Sequence, residues 1–222
     1  MVIEDFDAAI FDMDGTLTDN MHLHAEAFVV FGRRYELAAP APEVAAGLVG
    51  KRNREILPVL FGRALSDDEI ERYAEEKERI YHELMGAIAP VPGLLRLLDL
   101  LDARGMPAGL ATSAPRINVE PMLRALGLEG RFASLTLGEE VPRGKPAPDI
   151  FLEAARRLDV PPERCLVFED AYSGVAAAKA AGMRCVALAT THTAAELRAN
   201  TAADLIVRDY EEFLALARLE TH

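Results

Sequence analysis

The pattern of apolar and polar positions divides the chain into stretches of different character. Phe6, Ala8, Ala9, Ile10 and Phe11 form a short apolar run. It is too short to span a membrane and suits a buried strand. Asp14-Gly15 is a turn signal that ends it. From residue 20 to residue 88 no strand run follows. Met21 to Phe31 reads as a helix, with Leu23, Ala27, Phe28 and Phe31 at helical spacing. Ala38 to Pro42 is a break. Pro42 to Val49 and Arg52 to Leu60 read as short helices. Ser66-Asp67-Asp68-Glu69 is a capping box that opens a long helix from Asp67 to Met85.

Past Pro90-Val91-Pro92-Gly93 the pattern becomes an alternation. Helices are predicted over Leu94–Ala103, Ile117–Leu126, Pro148–Leu158 and Tyr172–Ala181, after Thr193 and from Tyr210. Strands are predicted over Pro107–Ala111, Ala133–Leu137, Cys165–Phe168, Arg184–Leu188 and Leu205–Val207. Gly127 and Gly182 stop two of the helices, and prolines open the one at Pro148. Strands alternating with helices predict an α/β fold with a doubly wound parallel sheet. The Phe6–Phe11 strand belongs to that sheet, so the helical stretch is an insert. The expected division is an α/β core from residues 1–18 and 90–222, with residues 19–89 as an all-helical cap domain.

Composition narrows the partners. Of 222 residues half are hydrophobic, enough for one sizeable core and a small insert. With 24 basic against 36 acidic residues the net charge is −12. That argues against a nucleic-acid partner, which needs a basic face. It leaves a phosphorylated substrate open, because a local cation decides that. Cys165 and Cys185 lie in apolar runs and read as buried thiols of a reducing compartment. The start, MVIEDFD, is acidic and unlike a secretory leader, and no segment is long enough to span a membrane. A cytoplasmic protein without a membrane partner is expected.

In open α/β sheets, sites gather beyond the carboxyl ends of the strands. Here those ends carry Asp12 and Asp14, Thr112 and Ser113, and Glu169 and Asp170, while Lys145 lies in the loop GKPAPDIF. Each has a plain reading alone: a turn with two aspartates, a helix N-cap, a complement to a helix dipole, a solvated lysine. Asp12 and Asp14 are two apart, so in an extended segment both project to one side. At about 4 Å two carboxylates repel by roughly 4 kcal/mol at an effective dielectric near 20. A hard divalent cation such as Mg²⁺ relieves that repulsion. The calcium-loop spacing fails, because Gly15 directly follows the second aspartate. Together, four carboxylates, a lysine and hydroxyls would meet at one sheet edge.

The stretches DMDGT (Asp12–Thr16), LATSA (Leu110–Ala114), GKPAPDIF (Gly144–Phe151) and FEDAYSGV (Phe168–Val175) resemble, in order, the four motifs of the haloacid dehalogenase superfamily. The resemblance covers nearly all of the α/β part. GKPAPDIF and EDAYSGV, with a helical insert after the first motif, resemble the subgroup that includes β-phosphoglucomutases, phosphoglycolate phosphatases and sugar-phosphate phosphatases. The resemblance implies a Rossmann-like core under a helical cap. It implies an Mg²⁺-dependent phosphatase of small phosphorylated metabolites, sugar phosphates among them, working through an aspartyl-phosphate. Asp12 would be the nucleophile, and Asp14 the general acid and then the base. The metal would be held by Asp12, Asp14 through its backbone carbonyl, and Asp170, with Glu169 acting through a water. Thr112, Ser113 and Lys145 would hold the phosphate oxygens.

Within the insert, His24 aligns with a histidine of the mutases, and Lys77 falls where they carry a cap lysine. A helix histidine is more often a plain core or surface residue, and a solvated helix face explains Lys77 as well. Lys51, Arg52 and Arg54 of GKRNREIL are either a solvated basic helix start or a grip on a substrate's distal phosphate or carboxylate. The mutases place an arginine where this chain has Asn53, which favours a hydrolase, with a β-phosphoglucomutase-type phosphomutase as the alternative. A dehalogenase proper needs neither metal nor second aspartate, so Asp14 and Glu169-Asp170 count against it. An intact motif set counts against a non-catalytic binding module. Members of this size that carry their own cap are often monomers, so a monomer is expected.

Overall fold

In the computed structural model, residues 3–217 are described. Strand β1 (Ala8–Phe11) has all four residues buried. Its side chains alternate, Ala9 and Phe11 toward one helix layer, Ala8 and Ile10 toward the other. It pairs in parallel with β2 (Ala108–Thr112) on one side and β4 (Cys165–Glu169) on the other. β3 (Ser134–Leu137) lies outside β2; β5 (Arg184–Leu188) and β6 (Leu205–Val207) follow β4. The order β3-β2-β1-β4-β5-β6 makes a six-stranded, all-parallel sheet. Strand order reverses beside β1, and in such sheets the crevice at that point takes the ligand.

Between β1 and β2 the described residues hold helices and no strand: α1 (Met21–Arg34), α2 (Pro42–Leu48), α3 (Asn53–Phe61), α4 (Asp67–Leu84) and α5 (Leu94–Ala103). α5 lies on the sheet with α6 (Arg116–Ala125) and α10 (Tyr210–Leu216), through Leu97, Leu101, Met122 and Phe213. The other face carries α7 (Asp149–Leu158), α8 (Tyr172–Ala180) and α9 (Ala194–Asn200), through Ile150, Phe151, Ala177 and Leu197. The result is an α/β fold of three layers with ten helices among the described residues.

The predicted capping box forms: the Glu69 N–H donates to Ser66 Oγ at 3.2 Å, and Glu69 accepts the Ser66 N–H at 2.9 Å. Four aromatic rings join α1, α3 and α4. Phe61 stacks on Tyr73 at 4.5 Å, and Phe31 and Tyr35 meet Tyr73 edge-on. Ala27, Phe31, Leu57, Tyr73 and Tyr81 are continuous with the apolar layer that covers the sheet. Two boundaries differ from expectation by more than one residue. α1 runs on to Arg34, its last turn carrying Arg33 and Arg34, which complement the helix dipole. β1 begins at Ala8, because the Phe6 N–H closes a turn onto the Ile3 carbonyl instead of joining the ladder. Cys165 and Cys185 are buried free thiols. Among the described residues no helix is long and apolar enough to cross a membrane.

Phe168 ties the sheet to its covering layer, stacked on Phe11 at 4.8 Å and edge-on to Phe213 at 5.0 Å. Phe168→Ala is expected to lower stability by about 3–5 kcal/mol in denaturant unfolding. Val29→Ala, on an exposed helix position, is expected to change it by less than about 0.5 kcal/mol. Equal effects of the two substitutions would contradict this packing.

Candidate active site

The site begins where the ladder of β1 ends. The Asp12 N–H donates to the Phe168 carbonyl at 3.0 Å, one residue past the strand. An extended course from Asp12 to Asp14, expected from their spacing, is not observed. Met13 turns into the core and is fully buried, and Asp14 forms a bridge with Thr18 across a turn at Gly15. The two carboxylates therefore diverge to different partners. Gly15 has φ +78°, and a Cβ there would lie 2.1 Å from Asp170 Oδ2, so only glycine lets this loop close onto Asp170. A Cβ at Gly174, in the first turn of α8, would lie 1.6 Å from Glu169 Oε1.

Asp12 belongs to a buried cluster at the floor of a cavity. Lys145 Nζ donates to Asp12 Oδ1 at 2.6 Å and to Glu169 Oε1 at 2.7 Å. Glu169 Oε2 accepts the N–H groups of Asp170 and Ala171, each at 2.7 Å. Asp170 accepts the Thr16 hydroxyl at 3.2 Å and also the Thr191 hydroxyl. Two of these three buried carboxylates thus share one ammonium, and the third has only hydroxyl partners. Burial pushes the Asp12 carboxyl up, Lys145 pulls it down and Glu169 raises it again, to about 7. Burial, with Glu169 and Asp12 beside it, drives Asp170 well above the carboxylate range. Burial works against the charge of Lys145, but Asp12 and Glu169 outweigh it and the ammonium is stabilised. The surplus negative charge must be met by protons or by a cation. Oxygens of Asp12, Glu169 and Asp170 lie within 4.8 Å of one another. A set of hard carboxylate oxygens fits a small divalent ion such as Mg²⁺. The Asp14 carboxylate is outside this group.

Asp14 faces α1 and α4 instead. Asn20 Nδ2 donates to Asp14 Oδ1 at 2.6 Å, and His24 Nε2 lies 3.3 Å from the same oxygen. The His24 ring stacks on Tyr81 at 3.9 Å. Lys77 Nζ donates to His24 Nδ1 at 3.1 Å, which leaves the ring proton on Nε2, beside Asp14. Lys77 also pairs with Glu78 at 2.8 Å. Burial opposes ionisation of Asp14, but His24, Asn20 and Lys77 outweigh it and hold its carboxyl below the usual range. Asp12 and Asp14, two residues apart, are pushed in opposite directions.

Asp12, Asp14, Asp170, Thr112, Ser113, His24, Lys51 and Lys77 line one cavity of about 780 Å³. Lys145 is sealed behind Asp12, held against it and Glu169. Arg52 is not part of the cavity wall. Its guanidinium is taken by Glu55, one helical turn on, at 3.1 Å, and by the carbonyls of Gly138 and Val141 at 3.0 and 3.2 Å. Arg54 pairs with Asp67 at the surface. Thr112 is no helix cap, because α6 starts only at Arg116. Its hydroxyl accepts the Ala114 N–H at 3.0 Å. Ser113 donates to the Gly50 carbonyl at 2.7 Å. Glu78, Asn118, Tyr81 and Thr191 were not anticipated from the sequence. Glu78 sits in DDEIERYAEEKERIYHEL, where it cannot be told from a solvated charge, and its partner Asn118 is 40 residues away. Asn20, the residue just before α1, carries a sequence signal, a polar side chain ahead of an apolar helix.

Residues 6–182 match the family model of the haloacid dehalogenase-like hydrolases. A phosphorylated carbohydrates phosphatase from Thermotoga maritima is 37% identical over 80% of this chain and 82% of its own length. A β-phosphoglucomutase from Bacillus subtilis is 33% identical over 79% of this chain and 80% of its own. Among solved structures, CbbY from Rhodobacter sphaeroides in complex with xylulose-(1,5)bisphosphate is similar with a TM-score of 0.81 and 29% identity, over 93% of this chain and 96% of that one.

The charge surplus has a measurable consequence. An unfolded aspartate titrates at about 3.9, whereas Asp12 in the fold is pushed up to about 7. The metal-free fold therefore holds protons that the unfolded chain has lost, and this part of its stability falls as pH rises through that range. Saturating Mg²⁺ is expected to raise the melting temperature by roughly 5 °C at about pH 8 and by less at about pH 5, where protons already do its work. Scanning calorimetry with Mg²⁺ or EDTA checks this, and a melting temperature indifferent to Mg²⁺ at the higher pH would contradict it.

Proposed function

This chain belongs to the haloacid dehalogenase-like hydrolase family, and from that premise we propose that it is an Mg²⁺-dependent phosphatase of a small, sugar-phosphate-like metabolite, working through an aspartyl-phosphate on Asp12. The observation that carries this reading is the Lys145 ammonium 2.6 Å from Asp12 Oδ1. It orients the carboxylate toward the cavity and leaves the other oxygen to attack phosphorus. A carboxylate nucleophile splits one slow displacement into two easier ones. In the first, the Asp12 oxygen bonds to phosphorus and the ester oxygen leaves, taking a proton from Asp14. In the second, Asp14 takes a proton from water, the hydroxide attacks phosphorus, and inorganic phosphate leaves as Asp12 is restored.

The resting ionised state of Asp14 suits the second step. Approach of a substrate's negative charge raises its proton affinity, which the first step requires. Thr112, the Ser113 backbone and Lys145 are the residues proposed to hold the phosphate oxygens as charge spreads over them. Asp12, Asp170 and the Asp14 carbonyl, with Glu169 acting through a water, would hold Mg²⁺, which would supply the positive charge that lets a carboxylate meet an anionic phosphate. Residues 19–89 act as a cap on the core of residues 1–18 and 90–222, and His24, Lys51 and Lys77 on its inner wall are its substrate-facing residues. A site complete within one chain supports a monomer, and two free buried thiols support the cytoplasm.

A β-phosphoglucomutase-type phosphomutase is the second reading. It is favoured by the contacts of Lys77 with His24 and of His24 with Asp14. Asn53, where those mutases carry arginine, counts against it, for its amide is bound to Glu78 at 2.6 Å. The relatives' own names include both chemistries, and CbbY is seen with a bisphosphate.

Asp12→Asn is expected to lower turnover of the best phosphate ester by at least about 10⁴ while leaving the fold intact. Asp14→Ala is expected to lose turnover yet keep the Mg²⁺-induced thermal shift. Near-normal phosphatase activity in Asp12→Asn would overturn the nucleophile assignment. With β-glucose 1-phosphate, release of inorganic phosphate is expected; conversion to glucose 6-phosphate in the presence of the bisphosphate activator would establish the mutase instead.

A further inference from the structure

Helix α1 carries two apolar stripes, and only one of them is spent on the core. Leu23, Ala27 and Phe31 pack into the layer that covers the sheet. Ala25, Phe28, Val29 and Gly32, three and four residues apart on another side of the helix, line the cavity that holds Asp12. A surface helix is normally polar outside its core stripe. Here Val29 is 51% exposed, in the wall of a cavity. Helix α2 (PEVAAGL) adds to that wall. It has no buried residue, and its Ala45 and Leu48 line the same cavity, as does Leu60 of α3.

The polar groups of the insert that reach the cavity do not explain this wall. His24 is engaged with Lys77 and Asp14, and Asn53 with Glu78. Lys51 and Arg33 also reach the cavity. Their positive charge favours any phosphate ester alike, whatever its alcohol. The volume of about 780 Å³ lies in the range of pockets that enclose drug-sized ligands, roughly 300–1,000 Å³.

Resting on the phosphatase reading above, we infer that the cavity takes phosphomonoesters whose sugar-like part bears an apolar ring or chain, and that the second stripe of α1, with α2, is the seat of that group. One cavity joins Asp12 to Val29, so a molecule whose phosphate lies at Asp12 can lay its remainder on this wall. A hydroxyl placed against these side chains loses its water and gains no partner from them. An apolar group there takes the open surfaces of Val29 and Leu48 out of water together with its own.

The test is kcat/KM, with Mg²⁺ present, for the 6-phosphates of methyl and hexyl β-glucoside, which differ only in apolar length. The wild-type protein is expected to favour the hexyl ester by at least about tenfold, mainly through a lower KM. Val29→Gln, at an exposed position that tolerates it, is expected to shrink that preference by about threefold or more. Leu48→Asn is expected to shrink it as well, and serves if the first variant unfolds. The ratio cancels any loss common to both esters. Equal kcat/KM for the two glucosides, a preference that neither variant moves, or refusal of both while other esters are hydrolysed overturns this inference and leaves the phosphatase reading standing. No hydrolysis of either, nor of any other ester on a broad panel, overturns both.

Discussion

One ammonium, that of Lys145, lies between two carboxylates in the interior of the protein, and the site is arranged around it. Taking a charge out of water is costly unless geometry and hydrogen bonding compensate. Here both contacts are short, and Glu169 is further held by two backbone N–H groups. Removing one partner of such a pair typically costs about 3–5 kcal/mol, because the other is left uncompensated. Yet one ammonium does not balance three buried carboxylates. Asp12 and Asp170 are left with raised proton affinities, and the fold carries a negative deficit at the crevice of its sheet. That deficit is what makes a divalent ion, and then a phosphate, welcome there.

The second constraint is the divergence of Asp12 and Asp14. A tight turn at Gly15 and the burial of Met13 send the first toward Lys145 and the second toward Asn20 and His24. Identical side chains two residues apart thereby acquire opposite electrostatic surroundings. In the proposed mechanism one is the nucleophile, its charge offset by Lys145 and a metal, and the other exchanges a proton. The helical insert completes the second environment, since His24, Lys77 and Tyr81 all come from it. The chemistry of the strand ends and the shape of the insert are joined through Asp14.

Much of this was legible in the sequence, for physical reasons. Short apolar runs and helix caps located nearly every element, as at β1 and at the Ser66 capping box. Polar residues at three strand ends, with Lys145 in a fourth loop, marked the residues that the fold brings together. What could not be read was how side chains share partners across long separations. Arg52 looked like a free cation, but Glu55 and two carbonyls of the β3–α7 connection claim it. Glu78 looked like surface charge and proved to be buried among Lys77, Asn53 and Asn118. The spacing of Asp12 and Asp14 suggested an extended pair, while the turn that separates them depends on Asn20, whose amide oxygen accepts the Gly15 N–H.

The central claim is that the buried negative surplus is balanced by a cation and that Asp12 is the atom donor to phosphorus. A crystal structure grown with Mg²⁺ and beryllofluoride, a mimic of a bound phosphoryl group, tests both parts at once. The expected result is the mimic joined to the free oxygen of Asp12, with one ion at about 2.0–2.1 Å from oxygens of Asp12 and Asp170. Beryllofluoride bound elsewhere, or Asp12 and Asp170 without a shared ion at saturating Mg²⁺, would contradict the account.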